Sequence, residues 1–259
     1  APEDVNQIVP QLWSANVSKI DGELTIAGET ARELAAEFGT PLYVVDEDDF
    51  RARARAFKEG FEGAEVYYAA KAFLSVATAR WVEQEGLNLD VCTGGELAVA
   101  LRAEFPPARI GLHGNNKSVA ELRRALEVGV GRIIVDSVDE IVELAAELGV
   151  TANVMVRVTA GVEAHTHEYI STSHEDQKFG FSIADGAAFA AVRRILDGEG
   201  LNFLGLHSHI GSQIFVSDGF EVAARRTMKL LSQFTDATGT QLPELDLGGG
   251  FGIAYTSQD

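Results

Sequence analysis

The sequence has a single cysteine, Cys92, so it cannot form a disulfide bond within its 259 residues. A chain of this length, with 46% hydrophobic residues, can bury a core large enough to be stable without disulfide bonds. The lack of paired cysteines is typical of proteins in a reducing compartment. We therefore expect a cytoplasmic protein whose stability comes from a packed core.

Long apolar runs are also missing. No stretch approaches the 18 consecutive apolar residues that a membrane-spanning helix needs. The first 20 residues lack the basic start and apolar run of a signal peptide. We expect neither a membrane span nor a secretory leader.

Positive charge is scarce. The sequence has 21 Lys and Arg against 39 Asp and Glu, which gives a formal net charge of −18. Such a surface repels the phosphates of nucleic acid and keeps the protein soluble. Nucleic acid is therefore excluded as an expected partner.

Strand-like apolar segments alternate with helical segments along most of the chain. Near the start we predict strands at 23–27 and 41–45, and helices at 30–38 and 47–59, the second capped by Asp46. The later predicted strands are 65–70, 87–91, 109–112, 132–135, 153–158, 203–209 and 245–247. The helices between them are 73–85, 95–104, 118–128, 138–148, 184–196 and 219–238. This alternation indicates a parallel sheet covered by helices.

Two α/β architectures fit this pattern, the open doubly wound sheet and the closed (β/α)8 barrel. Polar and glycine-rich residues collect after the predicted strands, as at Lys71, Gly94, His113 and Gly248. Active-site groups lie at the carboxyl ends of the strands in barrel enzymes. We therefore favour the TIM barrel.

Lys71 follows the apolar strand at 65–70. An amine at the mouth of a barrel, among apolar and cationic groups, loses its proton easily and can attack an aldehyde. A rim lysine that only extends its charge into solvent would have the same position.

Three consecutive glycines, Gly248, Gly249 and Gly250, follow the last predicted strand. Without Cβ atoms their backbone amides can close on an anion such as a phosphate. The segment lacks the Lys-Ser/Thr of a Walker loop and the third glycine of a dinucleotide fingerprint. The alternative is a tight turn without a ligand.

His207 and His209 stand two apart at a strand end and can share one face. They suit either a metal pair or one functional histidine beside a structural one. No further ligands with matching spacing are evident, so we predict no metal. Asp90, Glu96 and Arg157 also lie near strand ends, where ion pairing or helix capping explains each of them taken singly.

Together these motifs resemble the fold-type III pyridoxal-phosphate decarboxylases, over about residues 39–255. The matching segments are Tyr68-Ala-Ala-Lys71-Ala, His209-Ile-Gly-Ser212, Asp246-Leu-Gly-Gly-Gly250 and Lys178-Phe-Gly180. The resemblance implies an alanine racemase-type (β/α)8 barrel and pyridoxal 5′-phosphate as cofactor. It implies that Lys71 forms the Schiff base, His209 stacks on the ring, and Ser212 and the glycines hold the phosphate. Asp90, Glu96 and Arg157 fall where the family places polar residues around cofactor and substrate.

One loop narrows the expected substrate. Residues 161–172, which include His167, and the Lys178 motif resemble family members that convert meso-2,6-diaminopimelate to L-lysine and carbon dioxide. Ornithine-type relatives have a shorter, different stretch there. The open alternatives are a decarboxylase of ornithine, arginine or carboxynorspermidine, a metal-dependent barrel hydrolase using His207 and His209, and a non-catalytic pyridoxal-phosphate-binding protein.

The resemblance also predicts how the chain is organised. We expect residues 1–46 to pack with a C-terminal β domain and residues 47–259 to form a barrel that lacks its last strand and that domain. Relatives complete the site from those parts and share sites between the subunits of a homodimer. We therefore expect this chain alone to be inactive.

Overall fold

The computed structural model describes residues 7–137, 149–162, 179–239 and 244–257. The chain forms two compact units, one of residues 1–66, 81–87 and 253–259 and the other of residues 67–80 and 88–252. The predicted helix at 138–148 lies outside the described residues. In the part of the chain that is described, no helix is both long and apolar enough to cross a bilayer.

The first unit contains a small antiparallel sheet in the order β1-β2-β3. Its strands are β1 (Val17–Ile20), β2 (Glu23–Ile26) and β3 (Glu29–Thr30), and two helices follow, α1 (Ala31–Phe38) and α2 (Glu47–Gly60). Thr30 forms a capping box with Glu33 at the start of α1, and the Asp46 carboxylate accepts the amides of Asp48 and Asp49 at the start of α2. The predictions for 23–27, 30–38 and 47–59 are confirmed.

The predicted strand at 41–45 is wrong. These residues have no regular secondary structure, and the Tyr43 side chain is 95% exposed. Apolar composition signals a strand only where a neighbouring strand can accept its hydrogen bonds, and no described strand pairs with this segment. In contrast, β1 lies in a stretch for which no strand was predicted.

The second unit is built on a parallel sheet whose main order is β4-β5-β6-β7-β8-β10-β11. Its strands are β4 (Tyr67–Ala69), β5 (Asn88–Val91), β6 (Ile110–Leu112), β7 (Arg132–Val135), β8 (Ala152–Thr159), β9 (Phe181–Ser182), β10 (Leu201–Ser208) and β11 (Glu244–Asp246). The short strand β9 pairs with the end of β8. Because the main strands pair in chain order, the sheet follows the winding of a (β/α) barrel and not the reversed order of a doubly wound sheet.

Helices lie between the strands as predicted. They are α3 (Val76–Gln84), α4 (Gly94–Arg102), α5 (Val119–Val128), α6 (Ala187–Leu196) and α7 (Asp218–Thr238). The core of the second unit combines apolar strand residues with the inner faces of these helices, including Leu89, Ile133, Met155, Leu97, Leu122 and Ile195. This packing fixes the carboxyl ends of the strands at one edge.

We expect Phe234→Ala to destabilise the second unit by about 3–5 kcal/mol, the usual cost of emptying a buried aromatic site. Phe234 of α7 is fully buried and stacks on Phe189 of α6, with ring centroids 4.5 Å apart. Urea unfolding of the variant measures the loss. Met228→Ala is the control on the same helix, because Met228 is 53% exposed. Equal losses for the two variants would contradict this packing.

Candidate active site

Polar side chains of the second unit lie at the carboxyl ends of its parallel strands. Three of them lie near the ends of their strands, Asp90 in β5, Arg157 in β8 and His207 in β10, and Asp246 is the last residue of β11. His207 is the register partner of both Arg157 and Asp246. Residues predicted from widely separated motifs therefore meet at one edge of the sheet.

Lys71 lies in a short 3-10 turn, Ala70–Ala72, directly after β4. Its side chain is exposed, while its neighbour Ala70 is buried and anchors the turn. The positive charge of Lys71 contributes to lowering the pKa of both His207 and His209, after burial and other charges nearby. The charge of Lys71 therefore acts on both histidines.

The segment after β10 runs beside the glycine turn after β11. The Ile214 amide donates to the Gly250 carbonyl over 2.9 Å, and the Gly252 amide donates back to the Ile214 carbonyl over 2.9 Å. The Gly249 amide points to His209 Nδ1 across a long 3.4 Å contact. The structure therefore places His209, Ser212 and the three glycines in one group.

The glycine turn depends on the absence of side chains. Gly248 and Gly250 have φ angles of +65° and +103°, which side-chain-bearing residues adopt only with strain. A Cβ on Gly248 would lie 2.7 Å from the Ser208 carbonyl oxygen, and one on Gly250 would collide with the Gly211 carbonyl. A Cβ on Gly249 would meet no atom within 4 Å. The turn thus presents bare backbone to open space, which fits the phosphate of pyridoxal phosphate.

His209 suits the face of an aromatic ring. Burial, together with the positive charges of Arg157 and Lys71, lowers the pKa of the imidazole to about 4. The ring is therefore neutral near pH 7 and can pack against a flat cofactor without adding charge. With Lys71 and the glycine turn, it forms a set of residues that fits the aldehyde, ring and phosphate of the predicted cofactor.

Arg157 is a nearly buried cation, only 8% exposed. Its guanidinium lies over the ring of Phe179, 4.3 Å from the centroid, and burial lowers its pKa. Beside it, the Gly180 amide donates to the Asp136 carboxylate over 2.7 Å. The packing fixes Arg157 in the site, beside the predicted ring-stacking histidine.

Asp90 and Glu96 are engaged with the protein itself. Asp90 Oδ1 lies 3.2 Å from His113 Nε2, although the pair lacks the alignment of a hydrogen bond. The Glu96 carboxylate accepts the Cys92 amide over 2.5 Å, and the Glu96 amide donates to Thr93 at the start of α4. Helix capping accounts for Glu96 here, whereas Asp90 belongs to the polar layer of the site.

The sequence analysis did not predict that three polar side chains of the site, His113, His207 and Asp246, would lie together. His113 follows β6, and its ring meets the ring of His207 edge-on at 5.0 Å. Asp246 completes the group, and burial followed by the nearby Asp90 charge raises the pKa of its carboxyl. The signal available in the sequence was that all three residues lie at or directly after the ends of predicted strands. His167 and Lys178 of the predicted site lie outside the described residues.

Comparison with known proteins identifies the family. Residues 47–259 match the sequence model described as "Pyridoxal-dependent decarboxylase, pyridoxal binding domain". The diaminopimelate decarboxylase of Mycobacterium tuberculosis H37Rv is 56% identical over 97% of this chain and 58% of its own length. The enzyme of that name from Bacillus subtilis is 49% identical over 92% of this chain and 56% of its own length.

Solved structures give the same result. Diaminopimelate decarboxylase from M. jannaschii in complex with L-lysine has a TM-score of 0.85 at 35% identity, covering 95% of this chain and 59% of that one. The Helicobacter pylori enzyme with L-lysine has a TM-score of 0.80 at 29% identity, over 88% of this chain and 58% of that one. The chain spans a little over half the length of these relatives. The predicted alanine racemase-type barrel and the predicted cofactor are confirmed, and the chain belongs to the pyridoxal-dependent decarboxylases, with residues 47–259 matching their pyridoxal-binding domain.

Proposed function

We propose that the full-length protein decarboxylates meso-2,6-diaminopimelate to L-lysine and carbon dioxide, the last step of lysine biosynthesis. The observation that carries this proposal is the 56% identity to an enzyme named for that substrate across 97% of the chain. Relatives named lysine/ornithine decarboxylase are only 24% identical, a level that speaks for the fold alone. The two solved relatives in complex with L-lysine agree with lysine as the product.

The proposed chemistry assigns the electron-accepting role to the cofactor. When bound, pyridoxal phosphate supplies a ring that accepts the electrons left at Cα as carbon dioxide departs. Lys71, directly after β4, would hold the aldehyde carbon of the cofactor and would be the amine available to move a proton at the substrate Cα. Lys71 is exposed at the strand end, so its side chain is free to move between these positions.

The other residues bind and orient. Neutral His209 would pack against the cofactor ring, while the Ser212 hydroxyl and the amides of the glycine turn would hold the phosphate. Buried Arg157 provides a fixed positive charge beside them. We further propose that Asp90 contacts the cofactor and that Glu96, Arg157, His167 and Lys178 belong to the substrate side of the site.

Two features of the whole protein belong to the same proposal. We propose a cytoplasmic homodimer whose subunits share active sites. We also propose that residues 1–46 pack with a further β domain. Both proposals rest on the family resemblance. The further β domain is also supported by the length of the relatives, since this chain covers 58% of the M. tuberculosis H37Rv enzyme.

A substrate panel on the full-length protein tests the proposed reaction. We expect kcat/KM for meso-diaminopimelate to exceed that for ornithine, arginine or carboxynorspermidine by at least about a hundredfold, because a site built to pair with polar groups rejects substrates that lack them. Release of carbon dioxide and the amine product are both measured. Preference for one of the other amines would replace the proposal with a sister decarboxylase. Cofactor binding without turnover of any of them would indicate a non-catalytic relative.

The metal-dependent hydrolase considered from the sequence loses its support. It required His207 and His209 as a ligand pair, but His209 lies against the glycine turn. His207 instead lies beside His113, with the two ring centroids 5.0 Å apart. Because the chain belongs to the pyridoxal-dependent decarboxylases, the site residues are better explained by cofactor binding.

A further inference from the structure

Arg226 of α7 links this helix to the chain that follows β8. Its Nη1 atom donates to the carbonyl oxygens of Ala160 and Gly161, each over 2.6 Å. Hydrogen bonds from a charged donor are shorter and stronger than those from a neutral one. Because β8 ends at Thr159, the two carbonyls are the first ones beyond the strand. One guanidinium therefore fixes the direction in which the chain leaves β8.

The residues that Arg226 holds belong to a small apolar cluster. Its buried members come from the chain after β8, the chain after β10 and helix α7, and they are Ala160, Val162, Ile210, Ile214 and Ala223. Ile210 and Ile214 lie on either side of Ser212 in the sequence. Close-packed interiors transmit small displacements. A shift of residues 160–162 is therefore passed to the segment that carries His209 and Ser212.

Ile214 connects this cluster to the glycine turn as well. Its amide donates to the Gly250 carbonyl over 2.9 Å, and its carbonyl accepts the Gly252 amide over 2.9 Å. Its side chain is 7% exposed within the cluster. The same residue thus contacts both the chain held by Arg226 and the turn assigned to the phosphate.

Arg226 lies on the face of α7 that packs against the cluster. Ala223 is 1% exposed and Thr227 is fully buried, and residues three or four apart share a helix face. At the start of the helix the absence of a side chain at Gly219 allows a close approach, since a Cβ there would lie 3.2 Å from Ile210 Cδ1. Arg226 itself is exposed, so its replacement empties no site in the core.

The neighbouring arginine of α7 has a different environment. Arg225 pairs with Glu221 one turn earlier, at 2.7 Å, and both side chains are largely exposed. Exposed pairs of this kind contribute little to stability. Arg225 therefore provides a matched comparison for Arg226 on the same helix.

We propose that Arg226 is a positioning residue for the cofactor phosphate. By holding the carbonyls of Ala160 and Gly161, it fixes the apolar cluster and, through the cluster, the segment that carries Ser212 and the glycine turn beside it. Arg226 acts through packing and does not touch the cofactor. The inference rests on the proposed phosphate-binding role of this segment, and it is independent of which amino acid is decarboxylated.

Cofactor affinity of the full-length protein tests this role without any substrate. Arg226→Met keeps an apolar stem but removes the donors. We expect its dissociation constant for pyridoxal phosphate to rise by at least about fivefold, a usual size for coupling from a residue that does not contact the ligand. Fluorescence titration of the cofactor-free protein measures this constant. The circular dichroism band of the bound cofactor should weaken too, because a loosely held ring lacks a fixed orientation, whereas lower stability alone would leave that band unchanged.

Two further variants complete the experiment. Arg225→Met makes the same change one residue earlier and should keep the wild-type affinity and band. Arg226→Lys retains donors that can reach one carbonyl, so its affinity should lie between those of wild type and Arg226→Met. If thermal unfolding shows that cofactor-free Arg226→Met does not fold, Arg226→Lys decides, with an expected rise of at least about twofold.

The inference is overturned if the deciding Arg226 variant binds the cofactor as tightly as wild type does, or if Arg225→Met loses as much affinity. Ser212→Ala then separates this failure from that of the proposed site. If Ser212→Ala weakens binding and the Arg226 variant does not, the role of Arg226 alone is lost. If neither variant weakens binding, the phosphate-binding role of Ser212 is lost with it.

Discussion

Lys71→Ala in the full-length protein is expected to abolish the absorbance of the covalently bound cofactor and to reduce turnover by on the order of 10³-fold or more. Alanine has no amine to bond with the aldehyde carbon. Lys71 is exposed in a short turn, and the neighbouring Ala70 provides the buried anchor. The substitution therefore removes chemistry without removing core packing. The ultraviolet–visible spectrum and the rate of carbon dioxide release measure the two effects.

The control for this result is another exposed lysine. Lys229 lies on the solvent side of α7, and Lys229→Ala is expected to keep both spectrum and rate. Thermal unfolding of the cofactor-free Lys71 variant should match that of the cofactor-free wild type. A Lys71→Ala protein that retains the cofactor band and normal turnover would show that another group holds the aldehyde.

Substitutions in the glycine turn are expected to separate ligand binding from folding. At Gly249 an added Cβ meets no protein atom within 4 Å, so Gly249→Val leaves the turn folded but fills the space assigned to the phosphate. We expect its dissociation constant for pyridoxal phosphate to rise by at least about tenfold, equivalent to roughly 1.4 kcal/mol. Fluorescence titration of the cofactor-free protein measures the change.

The matched variant is Gly250→Ala. Its Cβ would collide with the Gly211 carbonyl at a φ of +103°, so this variant is expected to lower the midpoint of thermal unfolding even without cofactor. Gly249→Val should leave that midpoint near the wild-type value. If Gly249→Val binds the cofactor with unchanged affinity, the turn is a structural feature and the phosphate lies elsewhere.

The fold was largely predictable because its signals are local. Each barrel strand is a short apolar run, and caps such as Asp46 mark helix starts through their own side chains. The failure at 41–45 has the opposite origin, since an apolar segment becomes a strand only when another strand is available beside it. Short strands such as β9, with two residues, have too little pattern to detect.

The residues of the candidate site also fall into those that the sequence predicts and those that it does not. Lys71, His209 and the glycines belong to contiguous motifs, so the sequence alone pointed to them. The first and last members of the group of His113, His207 and Asp246 are far apart in the sequence, and the group exists only because the parallel sheet aligns three strand ends. Glu96 was predicted near the substrate, but its carboxylate accepts the Cys92 amide at the start of α4. Its position in the sequence is compatible with either role.

Chemical trapping of the cofactor tests the central claim most directly. Treating the full-length protein with borohydride fixes the bond between the cofactor and its lysine, and mass spectrometry of the proteolytic peptides then identifies the modified residue. The account predicts that the reduced cofactor is attached to Lys71 in the peptide containing Tyr68-Ala-Ala-Lys71-Ala. Attachment to Lys117 or Lys178, or no covalent attachment at all, would contradict it.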